Sequence, residues 1–211
     1  MKNTTIALLG ATGKAGRYIL KHLINRGYTV KALLRKPDGL DFRHPKLVIV
    51  PGDVRDAETV SDWTAGCTAV VSALGQTPGE PLVSALAARH VINAMQQHNI
   101  KRYIFLSGLT VDVQGDHKSE ANQAKSNWMR QHYPDVVNDK QQAYQLLSQS
   151  TLEWTMIRLP WIEQTEQRRN LAINLHDCPG DVISTADLAA FIAQELSSAT
   201  YVHKAPFVAS I

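Results

Sequence analysis

A chain of 211 residues with 44% hydrophobic and 19% charged side chains can bury a sizeable core, which excludes a mainly disordered protein. Its formal net charge of +3 is small, and its basic residues are interspersed with acids, so neither a nucleic-acid surface nor a membrane surface is called for. The isolated cysteines Cys67 and Cys178 and the lack of a His-x-x-x-His pair argue against a metal site, and no apolar run approaches a signal peptide core or a membrane span; a cytoplasmic protein is expected.

In chain order, an apolar run at 5–9 passes through a glycine-rich turn into a helical pattern over 14–26, closed by Gly27. Further strand-like runs follow at 29–34, 47–50, 69–74, 102–107 and 154–158, and helical patterns at 56–63, 80–98, 118–132, 139–149 and 185–196. Ser184 with Asp187 three residues on, and the acids 53–56, carry helix-start chemistry. Alternating strands and helices imply βαβ units, and near-continuous hydrophobicity along the strands implies a parallel sheet covered on both faces. The expected fold is therefore α/β: a Rossmann-type, doubly wound, mostly parallel sheet flanked by helices, in a single domain over 1–211. The polar interval 108–138, together with 160–181, is expected to form a small substrate-side region at the carboxyl edge of the sheet.

Gly10, Gly13 and Gly16 stand between the first strand and the first helix, where they permit a tight turn, close backbone approach to a diphosphate and near contact of helix with strand. Thr12, Lys14 and Ala15 complete this candidate cradle, and the helix dipole favours the ligand's charge. The competing reading is a turn with no ligand. An NAD-binding domain would place an acid about 20 residues beyond the glycines to receive the ribose 2′-hydroxyl. Here Arg35 and Lys36 follow the second strand, and a guanidinium suits a 2′-phosphate, so NADP(H) is expected over NAD(H). A solvated turn ahead of Pro37 is the alternative.

These residues, with Gly52-Asp53-Val54, Ser72-Ala73-Leu74-Gly75, Phe105-Leu106-Ser107, Asp139-Lys140, Arg158-Leu159-Pro160 and Ser184 with Asp187, resemble the atypical short-chain dehydrogenases/reductases. The likeness is greatest to the compact group of biliverdin reductase B and flavin-reductase-like proteins, and more distant to NmrA-like regulators. The resemblance implies that Asp53 and Val54 border the adenine, that Leu74, Gly75 and Gln76 run beside the diphosphate and ribose, and that Pro160 and Ile162 approach the nicotinamide. It also matches Lys140 to the lysine of the family's Tyr-x-x-x-Lys helix. Position 136, where the proton-donating tyrosine would stand, is valine; Tyr144 and Tyr133 are offset from that place, and packing or exposure suits them better.

Ser107, at the end of the fifth strand, can donate to an acceptor or to the carboxamide of nicotinamide, and Lys140 can hold ribose hydroxyls or supply a positive field. Without the tyrosine, alcohol/ketone interconversion is disfavoured. Flavins, quinones and linear tetrapyrroles delocalise incoming charge and take a proton from water, so a small planar acceptor of that kind is expected. Trp128, Met129, Tyr133, Trp161 and the loop 110–117 are candidates to line its pocket, which is expected to be open and shallow because the residues after Arg158 leave no room for a separate lobe. Two other functions are considered: an NADP(H)-sensing regulator without turnover, and a sugar-nucleotide epimerase or dehydratase. A monomer or a homodimer is expected.

Overall fold

The computed structural model describes residues 4–211, so positions 1–3 of the expected domain lie outside the described residues. Six β-branched runs form the strands β1 (Thr5–Leu9), β2 (Thr29–Leu34), β3 (Leu47–Pro51), β4 (Ala69–Ser72), β5 (Arg102–Gly108) and β6 (Glu153–Leu159). Four shorter strands follow: β7 (Trp161–Glu163), β8 (Leu171–Asn174), β9 (Val182–Ser184) and β10 (Phe207–Ser210). The main sheet has the order β3-β2-β1-β4-β5-β6-β10-β8; only β8, paired with β10, is antiparallel. β7 and β9 make a separate parallel ribbon.

The helices are α1 (Gly16–Asn25), α2 (Ala57–Thr64), α3 (Ser84–Gln97), α4 (Glu120–His132), α5 (Pro134–Ser148) and α6 (Thr185–Ser198). Strand alternation divides the core between two faces. Ile104 and Leu106 of β5 join Ile19 and Leu23 of α1 and Leu188 and Ile192 of α6, whereas Tyr103 and Phe105 join Trp63 of α2, Val91 and Met95 of α3 and Leu147 of α5. The strand order reverses between β1 and β4, and in an open sheet of this kind the loops part there and leave a crevice at the carboxyl edge.

Capping explains where helices begin. Ser184 Oγ accepts from the amides of Ala186 and Asp187 at the start of α6, and Asp56 accepts from the Glu58 amide at the start of α2, as their sequence signals suggest. Helix α3 starts at Ser84, later than the apolar pattern implies, because Thr77-Pro78-Gly79-Glu80 forms a turn closed by the Glu80 amide on the Thr77 carbonyl at 3.2 Å. Proline at the second position and Gly79 at φ +77° at the third are what a type II turn requires. The amides of Ser84 and Ala85 then donate to Asp139, at 2.7 and 3.1 Å. Asp139, which looked like the start of its own helix, thus lies inside α5 and caps α3; α5 itself opens at Pro134. Likewise β4 ends at Ser72 rather than Leu74, where the chain leaves the ladder for the crevice.

Arg158 is fully buried and ties the long loop after β5 to the sheet. Its Nη1 meets Asp116 Oδ2 at 2.6 Å, its other nitrogens donate to the carbonyls of Ala205 and Leu175, and its guanidinium lies 3.6 Å from the centre of the Phe207 ring. Removing one member of a buried ion pair strands the other without compensation, at a cost of about 3–5 kcal/mol. Asp116→Ala is expected to lower stability to urea by about that much; a loss near zero would show that solvent replaces the carboxylate freely.

Candidate functional site

The crevice at the strand reversal has a volume of about 540 Å³ and draws its walls from four loops. The first is the glycine turn. Gly10 has φ +81°, and a Cβ there would come within 2.5 Å of the Ala73 carbonyl oxygen, so the β1 and β4 ends touch backbone to backbone. A Cβ on Gly16 would fall 1.9 Å from the Gly10 oxygen, which is how closely α1 approaches the turn. The Gly13 amide closes the turn on the Gly10 carbonyl at 3.0 Å, while the amides of Thr12, Lys14 and Ala15 have no partner among the described residues. Unpaired amides at a helix N-terminus form an anion site, and they fit a diphosphate.

The second and third walls are the ends of β2 and β3, with Arg35, Lys36, Asp53, Val54 and Arg55. Asp53 is committed to its neighbour: its carboxylate accepts from the Arg55 amide at 2.9 Å and pairs with the Arg55 guanidinium at 3.3 Å. Val54 is buried, and its carbonyl meets His90 Nδ1 at 2.8 Å. Arg35 reaches across the crevice to Glu80, with Nη1 2.5 Å from Oε2. That bond holds the Glu80 carboxyl below its ordinary range and raises the arginine.

The fourth wall, after β4, contains Leu74, Gly75 and Gln76. Gln76 Nε2 donates to the carbonyls of Thr77 and Glu80, at 3.0 and 2.8 Å, while its Oε1 is buried without a partner among the described residues.

Ser107, Lys140, Pro160 and Ile162 lie outside these walls, toward the middle of the sheet edge. Ser107 Oγ is buried and unpaired. Lys140, on α5, places its amine beside Gly108, 3.8 Å from where a Cβ would stand, and has no hydrogen-bond partner among the described residues. Burial lowers its pKa, only partly offset by the charge of Asp139. Pro160 is buried, and Ile162 packs onto the α1/α6 core, so little of either is presented to a ligand. Between them Trp161 is 70% exposed, with the Lys14 amine 5.2 Å from the indole centre.

The aromatic group expected to line an acceptor pocket is only partly gathered. Trp128 stacks on His132 and leans on Tyr133, and all three lie on the exposed side of α4. Tyr144 packs edge-on against Trp154 in the core. Segments 108–138 and 160–181 do meet: Asn122 donates to Asp177 and to the Cys178 carbonyl, Lys125 pairs with Asp181, and the Asp181 carbonyl receives the Trp161 amide. Sequence reasoning missed Arg55 and Glu80. The Pro-Gly turn ahead of Glu80 was the available signal, but the apolar pattern after it read as continuous helix. Among the described residues no three His, Cys, Asp or Glu side chains are placed to hold a metal, and no helix is long and apolar enough to cross a membrane.

Known proteins agree with this geometry. Cinnamoyl-CoA reductase 1 of Arabidopsis thaliana is 30% identical over 117 residues, which cover 50% of this chain and 34% of the reductase. YwnB of Bacillus subtilis, an uncharacterized protein, is 25% identical over 154 residues, 72% of this chain and 70% of its own. The chain thus spans about a third of the plant reductase. Among solved structures, ChuY, an anaerobillin reductase from Escherichia coli O157:H7, superposes with TM-score 0.80 at 20% identity over 98% of this chain and 97% of its own. A short-chain dehydrogenase/reductase from Veillonella parvula, solved in complex with NADP, gives 0.78 at 17% identity over 98% and 94%. The fold is therefore the Rossmann-like one that the resemblance to short-chain dehydrogenases/reductases implied. Residues 10–199 match the NAD(P)H-binding family from the glycine turn to the end of α6, and the chain belongs to that family.

Proposed function

We propose that the protein is an NADPH-dependent oxidoreductase that passes hydride to a flavin, a quinone or a similar conjugated acceptor. The observation that carries this reading is the polar inventory at the end of β5. Ser107 Oγ and the Lys140 amine stand there without partners, while Val136 takes the place of a proton-donating tyrosine and Tyr144 is spent on packing. Bound nicotinamide would supply the hydride; the chain's task is to place it and to tune the field around it. In this reading the free amides of the glycine turn take the diphosphate, Arg35 and Lys36 take the 2′-phosphate, and Gln76 Oε1 accepts from the nucleotide. Asp53 and Val54 border the adenine, with Leu74 and Gly75 beside the diphosphate.

At the other end, Lys140 holds the nicotinamide ribose, and Ser107 donates to the carboxamide or to the acceptor. Pro160 and Ile162 back the strand edge behind the nicotinamide, and Trp161 offers its exposed face to a planar substrate. Reduction of a simple ketone would leave an alkoxide in need of a tuned acid, and no side chain here is built to supply one. A conjugated acceptor spreads the charge and protonates from water. The buried cysteines Cys67 and Cys178 suit a reducing cytoplasm. The missing tyrosine also favours an NADP(H)-sensing regulator, which the same assays separate from an enzyme.

Purified protein mixed with NADPH and FMN, riboflavin or a quinone is expected to show acceptor-dependent loss of NADPH absorbance. Tight nucleotide binding with no turnover across the panel would replace the reductase by the sensor. Ser107→Ala is expected to lower kcat/KM by about two- to tenfold, the worth of one neutral hydrogen bond; full activity would remove Ser107 from the mechanism.

In calorimetry, Arg35→Ala is expected to weaken NADPH by about ten- to a hundredfold and to leave NADH nearly unchanged. Equal losses for both would end the preference for NADPH.

Lys140→Met is expected to lose nucleotide affinity yet melt at a higher temperature than the wild type. Because burial lowers the lysine's pKa, the folded state holds that proton less tightly than the unfolded chain, and the penalty fades as pH rises toward the ordinary lysine value. The gap in melting temperature is therefore expected to narrow in alkaline buffer. A variant less stable than wild type at neutral pH would show that the amine has a partner in solution.

A further inference from the structure

At the adenosine end of the crevice, three cations from two strand ends, Arg35, Lys36 and Arg55, face two carboxylates, Asp53 and Glu80. The two acids differ in how they are held. Asp53 belongs to the β3 end and is tied to Arg55 within its own turn. Glu80 comes from across the crevice, on the turn between β4 and α3, and its Oε2 lies 2.5 Å from Arg35 and 3.7 Å from Arg55. It is therefore the acid that both guanidiniums share.

The turn is shaped to deliver it. Gly79 sits at φ +77°, a conformation that strains any other residue, and the Glu80 carbonyl is fixed by Gln76 Nε2 at 2.8 Å. Arg55 Nη2 donates to the next carbonyl, that of Pro81, at 3.1 Å. The segment 76–81 thus lines the crevice, tied to the β2 and β3 ends by the Glu80 carboxylate and by the bond from Arg55 to the Pro81 carbonyl. Both partners are part exposed, with side chains 47% and 36% accessible for Arg35 and Glu80. A solvated pair of this kind is weak and readily exchanged. A phosphate dianion presents more charge and more acceptor oxygens to a guanidinium than a carboxylate does.

We propose that Glu80 is an internal stand-in for the nucleotide's 2′-phosphate: it occupies Arg35 in the free protein, is displaced when that phosphate binds, and so sets how strongly the crevice prefers NADPH over NADH. The proposal rests on the reading of Arg35 as the 2′-phosphate residue. Two consequences follow. NADPH gains Arg35 only by breaking the Glu80 bond, so its affinity is reduced by the cost of displacement. NADH, which has no phosphate to offer, leaves the bond in place and binds with segment 76–81 still fastened.

The test is titration calorimetry of NADPH and NADH on the wild type, Glu80→Gln, Arg35→Ala and the double variant, with Gly79→Val as a second way to release the carboxylate. Glu80→Gln is expected to tighten NADPH about three- to fivefold and to leave NADH within about twofold, the scale of one exposed ion pair. Gly79→Val is expected to shift the ratio in the same direction, and the gain is expected to vanish when Arg35 is alanine.

If Arg35→Ala weakens NADPH selectively while Glu80→Gln leaves it unchanged or weaker, Glu80 does not compete and this proposal falls while the cofactor assignment stands. If Glu80→Gln instead weakens NADH severalfold, the carboxylate is receiving a ribose hydroxyl, which also overturns it. Equal effects of Arg35→Ala on both nucleotides would remove the cofactor preference and this proposal with it.

Discussion

The contact between backbones at the β1 and β4 ends governs what the rest of the chain can do. Gly10 lies where a side chain would strike the Ala73 carbonyl, and Gly16 lies where one would strike Gly10 itself. Because neither carries a Cβ, the first helix can begin against the turn, and the amides of Thr12, Lys14 and Ala15 are left without a partner among the described residues. An anion at that place would complete their hydrogen bonds. The sheet order, the two-faced core and the capped helices all serve to hold this one gap at a fixed width.

Several charged groups elsewhere are tied down by many partners. Arg158 is spent on Asp116, three carbonyls and a phenyl face; Asp187 takes the Ser210 hydroxyl, the Arg168 side chain and the Arg169 amide; Glu195 holds Arg102. Along the crevice and the end of β5 several polar groups are left open. Ser107 Oγ and Gln76 Oε1 are buried and unpaired, and the Lys140 amine has only a neighbouring charge. The nearby cations lean on substitutes, Arg35 on Glu80 and Lys14 on an indole. Polar groups desolvated without partners cost stability, and Tyr103, Arg102 and Asp116 also carry such atoms away from the crevice; Gln76 differs in lining it, where an external partner would be gained.

Much of this was legible in the sequence because it depends on local rules. The strands β1 to β6 are uninterrupted apolar runs, and the glycine spacing, the Ser184 cap and the basic residues after β2 sit at positions whose geometry follows from neighbours a few residues away. What was illegible depends on distant pairs. Asp139 resembles the cap of the helix it occupies, yet it serves α3, more than fifty residues earlier in the chain. Arg158 matched a family motif but proved to be a structural anchor. The short strands β7, β8 and β10 carry three or four residues each, too few to show a period; β10 forms against the edge of β6, β8 against β10, and β7 against β9. Glu80 was hidden by a pattern that continues through it, since apolar spacing is blind to a Pro-Gly turn set against the start of a helix.

The absent tyrosine bears on chemistry through the same economy of partners. In a site that protonates an alkoxide, the donor needs its pKa lowered, and a nearby ammonium does this only while it stays charged. Here burial pulls the Lys140 pKa down, and the phenol one turn further along, Tyr144, is itself pushed up by burial as it packs on Trp154. The rise at Tyr144 runs against proton donation from that phenol to a localised oxyanion. An acceptor that holds its new electron pair in a ring system asks for neither shift to be reversed. On the proposed reading it needs only a flat face to rest on and a fixed nicotinamide beside it, and the exposed indole of Trp161, next to Lys14 of the glycine turn, would offer such a face.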